Sequence, residues 1–137
     1  MFTPPRTRSA NVLDEDQCWA ALESTGLGRL AVRAGEDIDL YPVNFLVSHR
    51  LLYFRSAPGT KMVELTRAPR VAFEADGSSD GLRWSVTVKG VAQRLGFDSE
   101  IEASGIRELR SLEPSDKWNY VRITPHGISG RRFASAE

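Results

Sequence analysis

The sequence has one cysteine, two histidines and no excess of either charge. Cys18 alone excludes an intramolecular disulfide and a metal site built from several cysteines. His49 and His126 lie far apart, and neither belongs to a metal-ligand motif. The 18 basic and 18 acidic side chains balance, which argues against broad binding to nucleic acid or to an anionic membrane. Any anion that the protein binds must therefore be held by a local cluster of donors.

Long apolar runs are also missing. No segment approaches the ~20 apolar residues of a membrane span, and the N-terminal "MFTPPRTRSA" lacks the apolar run of a secretory signal. We therefore expect a cytoplasmic protein with no membrane partner. The 137 residues, 41% hydrophobic and 26% charged, suit a single domain with its own core. We expect a loose arm at residues 1–12, rich in Pro, Arg, Thr and Ser, and one domain at residues 13–137.

The first periodic segment predicts a helix. Asp14 and Gln17 have the spacing of a capping box, and Gly26 is a natural stop. Cys18 falls on the apolar face and has no flanking cation, so we interpret it as a small core residue. A second helix is predicted from about Thr60 to Thr66. A third is predicted near Asp98, where Ser99 and Glu102 resemble a second capping box. A flexible loop is predicted at "GSSDGLR".

Alternating segments predict about six or seven short strands, the last two being "KWNYVRITP" and "GISGRRF". Most follow one another through short turns, which indicates antiparallel pairing. A closed or nearly closed barrel is the natural way for a small domain to protect so many strand edges. Pro42 cannot donate a ladder hydrogen bond, so it marks an edge, a bulge or a break in its strand.

The segment "FRSAPGTK" collects the donors that a phosphate requires. Arg55 and Lys61 supply positive charge, and Ser56 and Thr60 supply hydroxyl groups. Gly59 can adopt backbone angles that direct N–H groups into a concavity ahead of a helix N-terminus. Spacing alone favours the alternative of a strand-end turn with solvated cations, because this is neither a Walker A loop nor a Rossmann fingerprint.

Three other segments each allow two interpretations. "YPVNF" is either a bulged edge strand with a solvated Asn44 or a rim where backbone groups meet a planar heterocycle. "WSVTVKG" is either a half-buried strand ending in Trp84 or a strand whose first residues line a pocket. In "ISGRRF", Arg131 and Arg132 are either solvated or reach an anion. No catalytic triad or carboxylate pair is apparent, so any catalysis would depend on a bound cofactor.

The segments "GRLAV", "YPVNFLV", "YFRSAPGTKM", "VAFEAD", "WSVTVKGVAQRL" and "ISGRRF" occur together and in this order. In this combination the chain resembles the pyridoxamine 5′-phosphate oxidase-like family of FMN-binding split β-barrels. More narrowly, it resembles the small bacterial flavin-binding branch that includes nitroimidazole-resistance-type proteins. The resemblance covers about residues 13–133. It implies a mainly β fold with flanking helices, built as a six-stranded antiparallel split β-barrel. It also implies a homodimer with FMN in a cleft between the subunits, a deazaflavin or haem being the alternatives.

The resemblance also implies which residues bind the cofactor. The phosphate would be held by Arg55, Ser56, Thr60 and Lys61. The isoalloxazine ring would lie along Val43, Asn44 and Phe45. The pocket would be completed by Trp84, Ser85 and Val86, with Trp118 and Arg131 contributed by the second subunit.

The activity that the resemblance implies is an FMN-dependent oxidoreductase that passes electrons from a reduced nicotinamide to a small-molecule oxidant. The alternatives are a protein that binds or stores a flavin, deazaflavin or haem without turnover, and an oligomeric scaffold with an empty cleft. The C-terminal substrate-binding segment of authentic pyridoxamine phosphate oxidases, with its arginine and histidine, is absent. Oxidation of pyridoxamine phosphate is therefore not expected, and no catalytic residue is assigned.

Overall fold

The computed structural model describes residues 11–108 and 118–134. Within them the chain forms eight strands, three helices and one 3₁₀ turn. In chain order they are β1 (Asn11–Leu13), α1 (Glu15–Glu23), β2 (Leu27–Ala34), β3 (Asp37–Asn44), β4 (Leu46–Ser48), β5 (Leu51–Ser56), α2 (Thr60–Arg67), β6 (Arg70–Ser79), β7 (Leu82–Arg94), α3 (Asp98–Ser104), the 3₁₀ turn Ile106–Glu108 and β8 (Asn119–Ala134). No helix in these residues is long and apolar enough to cross a bilayer.

The strands form one antiparallel sheet that curls on itself. Seven of them follow the order β3-β2-β6-β7-β8-β5-β4, and β1 pairs with β8 off this path. The chain leaves β3 at one edge of the sheet and enters β4 at the other edge after the single residue Phe45. The two edges must therefore lie close together at this point, which makes the sheet a split barrel. The predicted fold class is confirmed, and Pro42 lies on the edge strand β3, as the sequence predicted.

Alternate residues of the long strands fill the barrel. Val86 and Val88 on β7 are fully buried, and the ring of Phe45 packs edge-on against Phe73 with centroids 4.8 Å apart. Helix α1 closes one side, with Cys18 only 1% exposed, as the sequence predicted. A second, smaller cluster packs beneath α3 and contains Tyr53, Leu95, Ile101 and Ile106.

The predicted capping box of α1 is confirmed. The Asp14 side chain accepts a hydrogen bond from the Gln17 backbone N–H at 2.8 Å, and the Gln17 side chain accepts from the Asp14 N–H at 2.9 Å. The capping box predicted from Ser99 and Glu102 is wrong. Helix α3 starts at Asp98 after Phe97, so Ser99 lies inside the first turn and no side chain caps the helix.

Two predicted breaks in the sheet are also wrong. The expected loop "GSSDGLR" is a tight hairpin, because β6 continues to Ser79 and only Asp80 and Gly81 turn the chain, both with positive φ. Asp-Gly is a strong signal for such a two-residue turn. The two expected C-terminal strands are one strand, β8, in which a bulge opposite Lys89 and Gly90 accommodates the additional residue His126.

The first residues of the expected N-terminal arm fall outside the described part of the chain. Its last two, Asn11 and Val12, lie in β1 and pair with Arg132 and Arg131 of β8. In the sequence the third predicted helix has Ile101, Ile106 and Leu109 on its apolar side, and of these Leu109 falls outside the described residues.

Candidate functional site

A cavity of about 430 Å³ lies where the turn before α2 meets the edge strand β3. Gly59 ends this turn with φ of 154°, a backbone conformation that suits glycine and lets the chain enter the helix directly. Thr60 is the first residue of α2, so its backbone N–H has no partner inside the helix. The cavity is lined by Tyr41, Pro42, Ala57, Pro58, Gly59, Thr60 and Lys61.

Lys61 is a cation buried beside this cavity. Only 7% of the residue is exposed, an unusual value for a lysine. Its Nζ lies 5.1 Å from the centre of the Tyr41 ring and 6.0 Å from that of Phe54. The negative faces of the aromatic rings attract the ammonium group and fix the direction of the side chain. The cavity is therefore provided with a positioned positive charge.

Tyr41 is itself held in place by two carboxyl groups. Its hydroxyl donates to Glu64 Oε1 at 2.9 Å, and Asp39 Oδ2 lies 3.5 Å away. Burial, followed by the hydrogen bond to Glu64, raises the pKa of Tyr41 to about 12. Burial and a hydrogen bond with Asp39 also raise the pKa of Glu64. Tyr41 thus stays neutral in ordinary buffers, and its ring remains beside the Lys61 ammonium group.

Arg55 lies on the opposite face of β5 from this cavity. The preceding residue, Phe54, faces the barrel interior and contacts Lys61, and successive side chains of a strand alternate between faces. The Arg55 guanidinium lies 4.5 Å from the centre of the Trp118 ring and donates to the Arg107 carbonyl at 3.5 Å. Its Nε is buried and has no hydrogen-bond partner in the described part of the chain.

The remaining residues of the predicted phosphate segment behave differently from one another. Ser56 is fully buried, and its hydroxyl donates to the Ala57 carbonyl at 3.0 Å, so in this conformation it holds the turn together. Thr60 is exposed and lines the cavity. The four residues predicted to bind a phosphate therefore do not meet at one place. Thr60 and Lys61 meet at the cavity, whereas Arg55 pairs with Trp118 on the other face of β5.

The residues predicted to lie along a cofactor ring are at the end of β3. Asn44 is half-buried at the strand end, whereas the Val43 and Phe45 side chains are in the core, 4% and 3% exposed. Only the backbone of these two residues is available to a ligand at this edge.

The other predicted residues lie at the far end of the sheet. Ser85 and Arg131 are direct cross-strand partners on β7 and β8, whereas Arg55 pairs with Tyr120 on β8. Tyr120 and Arg131 are eleven residues apart, so at about 3.3 Å per residue they are separated by roughly 36 Å along β8. Trp84 and Val86 face the interior at this far end, and Trp84 lines a separate cavity of about 330 Å³ below α1. A single chain therefore does not bring the twelve predicted residues together.

Sequence reasoning missed Tyr41 and Glu64. The available signal was the spacing of Lys61 and Glu64, which puts both on adjacent positions of one helix face. Nothing local in the sequence indicated that Tyr41 would meet that face, because the contact joins an edge strand to a helix many residues later.

Comparison with known proteins identifies the family. The family model described as pyridoxamine 5′-phosphate oxidase matches residues 14–132, nearly the whole domain. The chain therefore belongs to the pyridoxamine 5′-phosphate oxidase family, as the sequence resemblance predicted.

Solved structures agree with this assignment. The chain is 39% identical to a candidate pyridoxamine 5′-phosphate oxidase from Corynebacterium glutamicum, with a TM-score of 0.83 over 92% of this chain and 99% of that one. It is 34% identical to an FAD-binding protein from Mycobacterium smegmatis, with a TM-score of 0.77 over 92% and 100% of the two chains. A candidate 5-nitroimidazole antibiotic resistance protein from Bacteroides thetaiotaomicron shares the fold, with 13% identity and a TM-score of 0.75 over 92% and 90%.

Proposed function

We propose that this protein is a cytoplasmic flavin-dependent oxidoreductase that binds FMN and is reduced by a nicotinamide donor. The observation that carries the proposal is the buried, aromatic-flanked ammonium group of Lys61 beside a cavity at the start of α2. Membership of the pyridoxamine 5′-phosphate oxidase family and similarity to an FAD-binding protein support a flavin as the ligand.

The donors at this cavity fit a phosphate monoester. Such a group carries about −1.5 to −2 charges at neutral pH and needs several N–H or O–H donors. Lys61 supplies a charge, and Thr60 supplies a hydroxyl and a backbone N–H that has no partner inside the eight-residue helix α2. Because Gly59 has no side chain, and a Cβ there would meet nothing within 4 Å, the turn is open to a ligand.

The edge of β3 fits the flat ring of the flavin. Pro42 has no N–H to donate, although the pairing of β3 with β2 continues through it, and Asn44 offers an amide at the strand end. Backbone groups of Val43 and the Phe45 carbonyl would serve the ring edge, since the Phe45 N–H donates to the Gly26 carbonyl at 3.0 Å and both side chains are committed to the core.

We further propose that the protein acts as a homodimer. Two groups of the predicted residues lie roughly 36 Å apart along β8 in one chain, and a two-fold axis can bring the far end of one copy to the cavity of the other. The edge strand beside the cavity exposes Ile38 and Leu40, which are 69% and 70% accessible. Adjacent exposed apolar side chains on a sheet edge are a recurring feature of protein interfaces.

The flavin would supply the two-electron chemistry when bound. The chain's own residues would bind the phosphate, orient the ring along β3 and exclude water from one of its faces. The ionisable side chains that line the cavity are Tyr41 and Lys61. Because the pKa of Tyr41 is about 12, this hydroxyl is a poor proton donor near neutrality.

That last observation favours a second candidate, a protein that binds or stores a flavin, deazaflavin or haem without turnover. The two candidates differ in what happens when a reductant is added. Hydride transfer to a flavin does not require a protein acid, so the shortage of acid–base groups does not exclude the oxidoreductase.

The test begins with the absorption spectrum of the purified protein, which distinguishes a flavin from a deazaflavin or a haem. The FMN-loaded protein is then mixed anaerobically with NADPH or NADH, with free FMN at the same concentration as the control. We expect the yellow band to bleach faster than that of free FMN with at least one donor. A stable yellow band with both donors supports the storage protein. A colourless protein whose melting temperature is unchanged by FMN, by a deazaflavin and by haem contradicts both candidates, because ligand at 100 times its Kd stabilises a fold by about 2.7 kcal/mol.

A further inference from the structure

A second cavity adjoins the first along the length of α2. Its volume is about 520 Å³, within the range of small-molecule sites. Thr60 lines both cavities, so the two are separated only by the start of this helix. The second cavity is lined by Arg33, Ala34, Gly35, Thr60, Val63, Glu64, Arg67 and Ala68.

The lining has a simple geometry. Thr60, Val63, Glu64, Arg67 and Ala68 have the i, i+3, i+4, i+7 and i+8 spacing of one helix face. The opposite wall is the end of β2 and the turn that follows it. At about 1.5 Å per residue, Arg67 lies roughly 10 Å from Thr60 along the helix. The groove therefore starts at the proposed phosphate site and ends at Arg67, roughly 10 Å away, a distance comparable to the length of a nucleoside.

A second cation, Arg33, lines the facing wall of the groove at the end of β2. The Arg33 guanidinium donates to the Gly35 carbonyl at 3.4 Å, which keeps it at the turn.

The lining of the groove carries more positive than negative charge. Among the described residues that line it, Arg33 and Arg67 are cationic and Glu64 is the only acidic one, and Glu64 is already bonded to Tyr41 on the side of the first cavity. The acidic residues Glu36 and Asp37 stand exposed at the hairpin tip and do not line the groove. Guanidinium groups bind phosphate and ribose oxygens and also stack on purine rings.

We propose that the groove between Thr60 and Arg67, with Arg33 on its facing wall, is a subsite for an adenosine phosphate, adjoining the cavity for the flavin phosphate. This inference rests on the proposed function of the first cavity. The adenosine phosphate has two chemical sources. It is the second half of FAD, with the two phosphates meeting beside Thr60, or it is part of the nicotinamide dinucleotide that donates electrons.

Calorimetric titration distinguishes these sources. FMN and FAD are titrated into the cofactor-free protein, and AMP is titrated into both the cofactor-free and the FMN-loaded protein. The variants are Arg67→Ala and Arg67→Glu, and the matched control is Arg70→Ala, an exposed arginine three positions further on that does not line the groove. Both side chains, Arg67 and Arg70, are on the surface, so the fold is expected to tolerate these changes.

If the nucleotide is the second half of FAD, wild-type protein binds FAD about tenfold or more tightly than FMN. If it belongs to a separate donor, AMP binds to the FMN-loaded protein. In either case Arg67→Ala lowers the FAD preference or the AMP affinity about tenfold, Arg67→Glu lowers it further, and the Kd of FMN stays within about twofold. Arg70→Ala leaves all of these values unchanged.

Equal Kd values for FMN and FAD, together with no saturable AMP binding, overturn the subsite. An equal loss in Arg67→Ala and Arg70→Ala also overturns it, because the effect is then one of general surface charge. Absence of FMN binding contradicts the proposed function instead. In that case, Arg67-dependent AMP binding to the cofactor-free protein still supports the subsite, and its absence overturns the subsite as well.

Discussion

At the scale of single residues, the proposed phosphate site depends on Lys61. A lysine is rarely buried because removing its charge from water is costly. Here the Tyr41 and Phe54 rings offset part of that cost, and Glu64 holds Tyr41 in position. An arrangement that fixes a cation beside an open cavity is expected where an anion binds.

Replacing Lys61 with alanine should therefore weaken the binding of FMN much more than that of riboflavin, which has no phosphate. Losing a hydrogen bond to a charged group costs about 1.5–3 kcal/mol. This corresponds to an increase of roughly 10- to 150-fold in the Kd of FMN, with little change for riboflavin. Fluorescence titration of the two flavins measures the ratio.

Arg55 and Arg122 provide the comparison for this variant. Each has a buried Nε without a partner in the described part of the chain, but Arg122 is paired with Glu100 at 3.1 Å. Arg122→Ala should leave the ratio of the two Kd values unchanged. Arg55→Ala shows whether the Arg55–Trp118 pair contacts the phosphate in the assembled protein. Equal weakening of FMN and riboflavin binding by Lys61→Ala would indicate general destabilisation and would contradict the proposed phosphate site.

At the scale of elements, the close packing of β2 against the core depends on a glycine. Gly28 on β2 pairs with Val43 on β3 and lies over the Phe73 ring. A Cβ at Gly28 would lie 2.3 Å from Phe73 Cζ and 2.9 Å from the Glu74 carbonyl oxygen. Both neighbours are fixed, one by core packing and the other by the sheet, so a side chain at this position must displace them.

Gly28→Ala should consequently lower the free energy of unfolding by about 1–3 kcal/mol, the usual cost of overpacking a core. It should also disturb Phe45, whose ring packs against Phe73 where β3 leads into β4. Urea unfolding measures the first effect.

Gly26→Ala is the matched control. It lies two residues earlier, where a Cβ would meet nothing within 4 Å, so its effect should remain within about 0.5 kcal/mol. Equal stabilities for the two variants would show that Phe73 moves freely and that the interior is less tightly packed than these distances require.

At the scale of the whole molecule, the distribution of predicted site residues favours two copies. Ser85, Arg131 and Trp84 lie at the far end of β7 and β8 from Lys61. In a two-fold dimer the same surface patch is used by both copies, so each cavity would take residues from both chains.

Mixing two defective variants tests this arrangement. Lys61→Ala and Arg131→Ala should each bind FMN weakly, but after subunit exchange half of the dimers are hybrids. Each hybrid has one intact site and one doubly altered site, so about a quarter of all sites recover tight FMN binding. Sedimentation of the wild-type protein gives the oligomeric state independently.

No recovery after verified exchange would mean that Lys61 and Arg131 do not serve the same site. Undiminished FMN binding by Arg131→Ala alone would remove this residue from the site, and Trp118→Ala then takes its place in the mixing experiment. A monomer with full FMN affinity contradicts the dimer proposal directly.

Local patterns by themselves determined the strand-rich fold, the α1 capping box and the buried state of Cys18. These features depend on residues that are close in sequence, such as Asp14 and Gln17, or on the alternation of apolar residues. The same local reasoning failed where two patterns competed, as at the Ser99 box and at the hairpin of Asp80 and Gly81.

Tertiary structure alone decided which side chains meet. Alternation along β5 sends Phe54 inward and Arg55 outward, and this separates Arg55 from Lys61 although they are six positions apart in "FRSAPGTK". The contact of Tyr41 with α2, and the groove between this helix and the end of β2, exist because the curled sheet carries β2 and its edge strand β3 past that helix. The sequence supplies the donors, and the closure of the sheet determines which of them face the same space.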